Sequence, residues 1–258
     1  MPLFYQQNIN ATTRLAIWKI EESEIFFSDT IPLQREITHP HKRLQHLAGR
    51  YLLRFLFPSF PYSDIQIAAT KKPFLTNEQF HFSISHCADY AAAIVSSTHR
   101  VGIDIEVPSE KVVRIAHKFL SEKEIANFKF PISNQPINQL TNPLNKPINQ
   151  LTNNPINQST NKLINTIPQS PNQPINQLTN KLINPIPQLT LLWSAKEAIF
   201  KWWGNGEVDF SEMIQLDNFE LETRGSFNAS FQQTALQMHY EMFDKLCLAW
   251  VITNSLEG

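Results

Sequence analysis

The chain of 258 residues is 42% hydrophobic and carries a formal net charge of −1, from 22 Lys and Arg against 23 Asp and Glu. That is enough for one substantial core or two small ones, and the charge balance excludes a broad nucleic-acid or membrane-binding surface, so any basic site must be local. Cys87 and Cys247 form neither a CxxC pair nor a disulfide framework, and MPLFYQQNINATT has neither the basic leader nor the apolar run of a signal peptide. A cytoplasmic protein without a membrane span is expected, its cysteines acting as small hydrophobic residues.

In chain order, TRLAIWKI (Thr13 to Ile20) alternates like a strand, and EESEIFFSD after it predicts a short helix. A longer helix is expected between Thr38 and Phe57, with Leu44, Leu47, Tyr51 and Phe55 on one face and Arg43, His46, Arg50 and Arg54 on the other. That basic stripe is either solvated or a place for phosphate contacts, and the spacing leaves both open. IQIAAT, KKPFLT and FHFSIS then predict a strand, a turn at Lys71, Lys72 and Pro73, and a strand with Phe80, Phe82 and Ile84 inside. His81, Ser83 and Ser85 take its other side, and His86 follows at the turn before the strand YAAAIVSS.

VGIDIE, Val101 to Glu106, carries the first strong chemical signal. As a strand it puts Gly102, Asp104 and Glu106 on one face and Val101, Ile103 and Ile105 on the other. Carboxylates about 7 Å apart on one strand face repel unless a cation lies between them, and the glycine leaves room for a ligand. Magnesium, which takes carboxylate oxygens and completes its shell with water and phosphate, suits that pair best. The apolar neighbours point to a central strand. VVRIAHKFLSEKEIANF (Val112 to Phe128) then reads as two helices broken near Ser121, with Ser121 and Glu124 forming a capping box.

From Pro131 to Gln188 the composition changes: Asn, Gln, Pro, Ile, Leu and Thr recur without an acidic residue, an aromatic or a glycine. PINQ returns at Pro136, Pro147, Pro155 and Pro174, and PINQSTNKLIN from Pro155 comes back as PINQLTNKLIN from Pro174. Such short proline-punctuated units do not stack into a solenoid, so the segment is expected to be a disordered or loosely extended insert.

TLLWSAKEAIFKWWG, Thr190 to Gly204, predicts a helix capped by Thr190 and ended by Gly204. Trp193, Glu197 and Lys201 share one face, while Leu192, Ala195, Ala198, Ile199, Trp202 and Trp203 face a core. Taken alone, the Glu197 and Lys201 face is as compatible with a surface salt bridge as with a site. From Met213 to Thr253 the alternation suggests three or four antiparallel strands.

Taken together, ISH (Ile84 to His86), GIDIE (Gly102 to Glu106), FLSEKE (Phe119 to Glu124) and WSAKEAIFK (Trp193 to Lys201) resemble the motifs of the Sfp-type 4′-phosphopantetheinyl transferases. The resemblance covers the chain apart from the insert and includes the KP turn and the helix ending AGRYLLR. It implies an α/β (α+β) fold with a pseudo-twofold pair of halves, each a long helix on a small antiparallel sheet. The expected division is residues 1–100, the coenzyme A nucleotide side with its basic helix, and residues 101–258, the metal side, interrupted by the insert at 131–188. The implied reaction is Mg²⁺-dependent transfer of the phosphopantetheine arm of coenzyme A to a serine of an acyl or peptidyl carrier protein.

By residue, the resemblance gives Asp104 and Glu106 as metal ligands and Glu197 as a further ligand or base. Lys201 falls at the pyrophosphate, Ser85 and His86 at the coenzyme A phosphates, and Lys72 on the nucleotide side. An arginine common four residues before the helix glycine is Gln45 here, so its phosphate contact passes to Arg43 or Arg50. Cys87 and Ala88 stand where serine and glycine are common. A monomer is expected, with coenzyme A and a carrier protein as partners and no nucleic acid or membrane. Two alternatives remain: a catalytically inactive protein that binds coenzyme A and carrier proteins, and an interaction protein acting through the insert.

Overall fold

The computed structural model describes residues 2–31, 33, 36–128 and 184–254, which belong to one compact unit. The reading of residues 131–183 as a disordered or extended loop lies outside them. The chain opens with β1 (Leu3–Asn8), β2 (Thr13–Lys19), α1 (Glu24–Ser28) and α2 (Pro40–Leu56). Next come β3 (Ile65–Ile67), β4 (Pro73–Leu75), β5 (His81–Cys87), β6 (Tyr90–Ser96) and β7 (His99–Glu106). After α3 (Lys111–Phe119), α4 (Glu122–Phe128) and α5 (Ile186–Trp203), the chain ends in β8 (Ile214–Leu216), β9 (Arg224–Phe231), β10 (Thr234–Phe243) and β11 (Leu246–Asn254).

The fold is mixed α+β, built on two antiparallel sheets with strand orders β1-β2-β6-β5 and β7-β11-β10-β9-β8, beside the small pair β3-β4. Alternation in the strands gives each sheet two apolar faces. Ala16, Trp18, Ala91, Ala93 and Val95 meet Leu47, Ala48, Leu52, Leu53 and Leu56 of α2. Leu15, Ile17, Ala92 and Ile94 on the opposite face meet Val101, Ile103, Ile105, Leu246, Leu248 and Trp250 of the second sheet. Each large aliphatic side chain buried this way contributes roughly 1.5–3 kcal/mol relative to exposure. Helix α5 covers the far side of the second sheet with Leu192, Ala195, Ala198, Ile199 and Trp202, all buried. The layers therefore run α2, first sheet, second sheet, α5.

Several local expectations change. The long C-terminal helix starts at Ile186, not after a Thr190 cap, so the insert's expected end at Gln188 overlaps its first turn. Asn184 Oδ1 accepts the Ile186 N–H at 3.1 Å, whereas Thr190 lies inside the helix with its hydroxyl donating to the Ile186 carbonyl at 2.7 Å. The start signal was hidden because NPIPQ has the insert's own composition, although proline in the first turn is favourable. Gly204 does end the helix, in the left-handed region at φ 72°. Polar-looking β1 is an edge strand that pairs only with β2.

Strand β7 is not central: its backbone pairs with β11 alone. Its free edge is closed instead by side chains of β5. Ser83 Oγ accepts the Ile103 N–H at 3.2 Å, Ser85 Oγ the Ile105 N–H at 3.3 Å, and Cys87 Sγ the Val107 N–H at 3.3 Å. Side chains two residues apart on a strand point the same way. One face of β5 thus satisfies three backbone donors that an edge strand would otherwise expose.

Candidate active site

The face of β7 that carries the acids looks onto α5. At Gly102 the approach is backbone to backbone: a Cβ there would collide with the Ala198 carbonyl oxygen and lie 2.8 Å from Trp202 Cβ. The glycine therefore admits the helix, and not a ligand as its place beside the acids suggested. This close seat sets Asp104 and Glu106 against the Trp193–Lys201 face of α5.

Asp104 is buried and accepts from three groups. Ser85 Oγ donates to its Oδ1 at 2.7 Å, Lys201 Nζ to the same oxygen at 2.6 Å, and Ser194 Oγ to Oδ2 at 2.9 Å. Lys201 also lies 3.0 Å from Ser85 Oγ. Glu106, one step along the strand face, accepts the Cys87 thiol and the Trp193 indole N–H, each at 3.3 Å. Trp193 is itself wedged between Phe119 and Phe210, with ring centroids 5.1 and 5.7 Å away.

The electrostatics follow from three carboxylates in a half-closed space. Burial, reinforced by Asp104, raises the pKa of Glu106 above the usual carboxylate range. Burial pushes Glu197 up to about 7, with Asp104 and Glu106 adding to the rise and Lys201 opposing it. Burial likewise pushes the Cys87 thiol up to about 11, so it is a neutral donor to Glu106.

The predicted site residues are distributed unevenly. Asp104, Glu106, Glu197, Lys201 and Ser85 converge where β5, β7 and α5 meet. His86 lies on the opposite side of β5 from Ser85, exposed, yet within electrostatic reach of Lys201 and Asp104. Lys72 sits at the C-terminal end of α5, its Nζ 3.4 Å from the Trp202 carbonyl oxygen. Arg43 is engaged by Glu24 at 2.8 Å and by the Ile37 carbonyl at 2.7 Å. Arg50 is buried on α2 beside His46, Nη1 to Nδ1 at 3.1 Å. Gln45 turns its amide to the Ala88 carbonyl at 2.8 Å and so anchors the turn after His86.

Sequence reasoning missed Ser194 and the bonding role of Cys87, although both signals were present. Ser194, Glu197 and Lys201 stand at i, i+3 and i+7 on one helix face, and Ser83, Ser85 and Cys87 at period two on one strand face. It also passed over Lys196. That ammonium is fully buried and donates at 2.8 Å to each of Glu124 Oε2, the Phe210 carbonyl and the Ile214 carbonyl. Glu124 in turn accepts the Ser121 N–H at 2.8 Å and the Leu216 N–H at 2.9 Å, so the expected capping box is part of a buried ionic hub.

Hard oxygen donors on Asp104, Glu106 and Glu197 suit a divalent cation, and the raised pKa values of Glu106 and Glu197 mark acids whose mutual repulsion such a cation would relieve. Among the described residues no group of three His, Cys, Asp or Glu side chains has the closeness of a formed metal site; Lys201 supplies the positive charge at Asp104 instead.

The combination of a strand-borne acid pair with a helical Glu and Lys defines a class of phosphate-transfer centre. Residues 169–253 match the family model described as the 4′-phosphopantetheinyl transferase superfamily, which takes in α5 and all four strands after it. The motif resemblance is therefore to that superfamily, at a level that does not separate out the Sfp type. No curated protein matches the chain.

Proposed function

We propose that the protein is an Sfp-type 4′-phosphopantetheinyl transferase that moves the phosphopantetheine arm of coenzyme A to a carrier-protein serine. The observation that carries this reading is the meeting of Asp104, Glu197 and Lys201 from two distant segments, with Lys201 2.6 Å from Asp104. The serine oxygen attacks the β-phosphorus of the pyrophosphate, and the bond from that phosphorus to the bridging oxygen breaks, releasing adenosine 3′,5′-bisphosphate. Such a reaction is limited by charge on the phosphates, so positioned cations are its main requirement. Lys201 meets the leaving phosphate. Glu197, with its pKa near 7, is matched to take the serine proton at neutral pH. Asp104, Glu106 and Glu197 would hold a magnesium ion, which when bound neutralises pyrophosphate oxygens.

Ser194 and Ser85 fix the Asp104 carboxylate, and the Trp193 indole fixes Glu106. The two flanks of the insert act as the nucleotide half, residues 1–100, and the metal half from residue 101. The setting is taken to be cytoplasmic and the enzyme monomeric; among the described residues no helix is long and apolar enough to cross a membrane. Incubating the protein with coenzyme A, Mg²⁺ and apo carrier proteins should add one phosphopantetheine mass to the carrier in intact-mass spectra. An unmodified panel of acyl and peptidyl carrier proteins would sink the reading. A binding protein without catalysis is separated by Glu197→Ala, which abolishes the added mass only if the parent is an enzyme.

A further inference from the structure

The arginines that the sequence offered for the distal phosphate of the nucleotide are both held inside the N-terminal half, Arg43 by Glu24 and Arg50 beside His46. Cations elsewhere line open space. A cavity of about 210 Å³ runs from Lys201 past Ser83, Thr70 and Pro73 to Lys72 and Gly204. A second, of about 390 Å³, shares Lys72, Pro73, Phe82 and Gly204 with the first and continues to Arg100, His81, Glu78 and Trp203. Lys72 thus stands at the junction of the two.

Arg100 is pre-set there. Its guanidinium bonds the Trp203 carbonyl and stacks over the rings of Trp202 and Trp203 at 5.1 and 5.5 Å, which fixes its plane while engaging only part of its five-donor fork. Burial pulls the pKa of Lys72 down to about 8, and the neighbouring Arg100 adds to that fall. Two cations that repel each other across a cavity wall are relieved by an anion with several oxygens, and a phosphate meets both geometries. Glu78 is the acid in this lining; it is exposed, and its charge acts on Arg100 and His81.

We propose that Arg100 and Lys72 form the subsite for the 3′-phosphate of the donor nucleotide, in the cavity beyond Lys72, and that α2 does not read that phosphate. The assignment rests on the transferase reading for the identity of the nucleotide. With the pyrophosphate at Lys201, the adenosine spans the first cavity and carries its 3′-phosphate into the second. Arg100 is then a specificity residue that distinguishes coenzyme A from its 3′-dephosphorylated form.

Calorimetric titration of the full chain with adenosine 3′,5′-bisphosphate and with adenosine 5′-monophosphate tests this directly. The parent should prefer the bisphosphate by about tenfold or more, the effect of one charge-assisted contact. Arg100→Gln, which keeps a donor for the Trp203 carbonyl, should bring the two nucleotides within about twofold. Because the readout is a ratio of affinities, a partly unfolded variant does not distort it. Collapse of the preference in Arg43→Gln or Arg50→Gln, with Arg100→Gln unchanged, overturns the subsite and leaves the transferase reading standing. Equal binding of both nucleotides by the parent also overturns the subsite alone, and failure to bind either overturns both. Tight, discriminating binding with no carrier modification would remove only the transferase.

Discussion

Glu197 is the residue on which chemistry and stability pull in opposite directions. Its folded-state pKa of about 7 stands against 4.5 for an unperturbed carboxyl, so between those values the native chain keeps a proton that the unfolded chain has lost. The stabilisation it contributes is whole below pH 4.5 and disappears as pH rises through 7, on the order of 3 kcal/mol in all. Glu197→Gln mimics the protonated form, so this variant should match the parent near pH 4 and exceed it in stability at pH 8, as urea denaturation at the two pH values will read. Transfer activity should behave in the reverse sense. It rises with pH as Glu197 deprotonates, with a midpoint near 7, and Glu197→Gln should lower kcat by about 10²–10⁴ across the range. At this scale the site was largely legible. Asp104, Glu106, Glu197 and Lys201 stand out because charges recur at the period of their own element. Lys196 did not, since nothing in the order of residues says that the Lys beside Glu197 turns inward to Glu124 while Glu197 does not.

Between elements, two contacts hold α5 to its surroundings. The first is the seat of the helix on Gly102, where Gly102→Ala would drive a methyl into the Ala198 carbonyl. Such overpacking costs about 1–3 kcal/mol, and because it moves the helix that bears Glu197 and Lys201, activity should fall further than thermal stability alone explains. Comparing the melting temperature with the residual rate at a temperature where the variant is fully folded will check this. The second contact is the buried Lys196–Glu124 pair. Lys196→Met or Glu124→Leu alone leaves an uncompensated interior charge and should cost about 3–5 kcal/mol in urea unfolding, whereas the double variant should recover much of that loss. The helices and strands themselves were readable from apolar spacing, and the break at Ser121 from its capping box. What could not be read were facts of close approach. A glycine on an acidic strand face suggests room for a ligand until the partner helix is seen against it, and an edge strand looks central when its open donors are met by another strand's side chains.

For the whole molecule, the ionic hub also bears on the repeat segment. Phe128 at the end of α4 and Ile186 at the start of α5 border residues 131–183, and both helices are pinned by Lys196 and Glu124 rather than by the chain that joins them. Replacing residues 131–183 with a short glycine–serine linker should therefore leave the melting temperature within a few degrees and the transfer rate within about twofold; a loss of folding in that variant would show that the segment supports the core. The seam between the two sheets has a different kind of consequence. Where two strands join by main-chain pairing, the joint is nearly blind to residue identity, because every amino acid except proline brings the same donor and acceptor. Here the joint is written in Ser83, Ser85 and Cys87, and Ser85 also holds Asp104. A single nucleotide change in one of those codons can reset how the halves meet and how the acid is held, so the spacing of the cleft and the reactivity within it are open to inheritance and selection together.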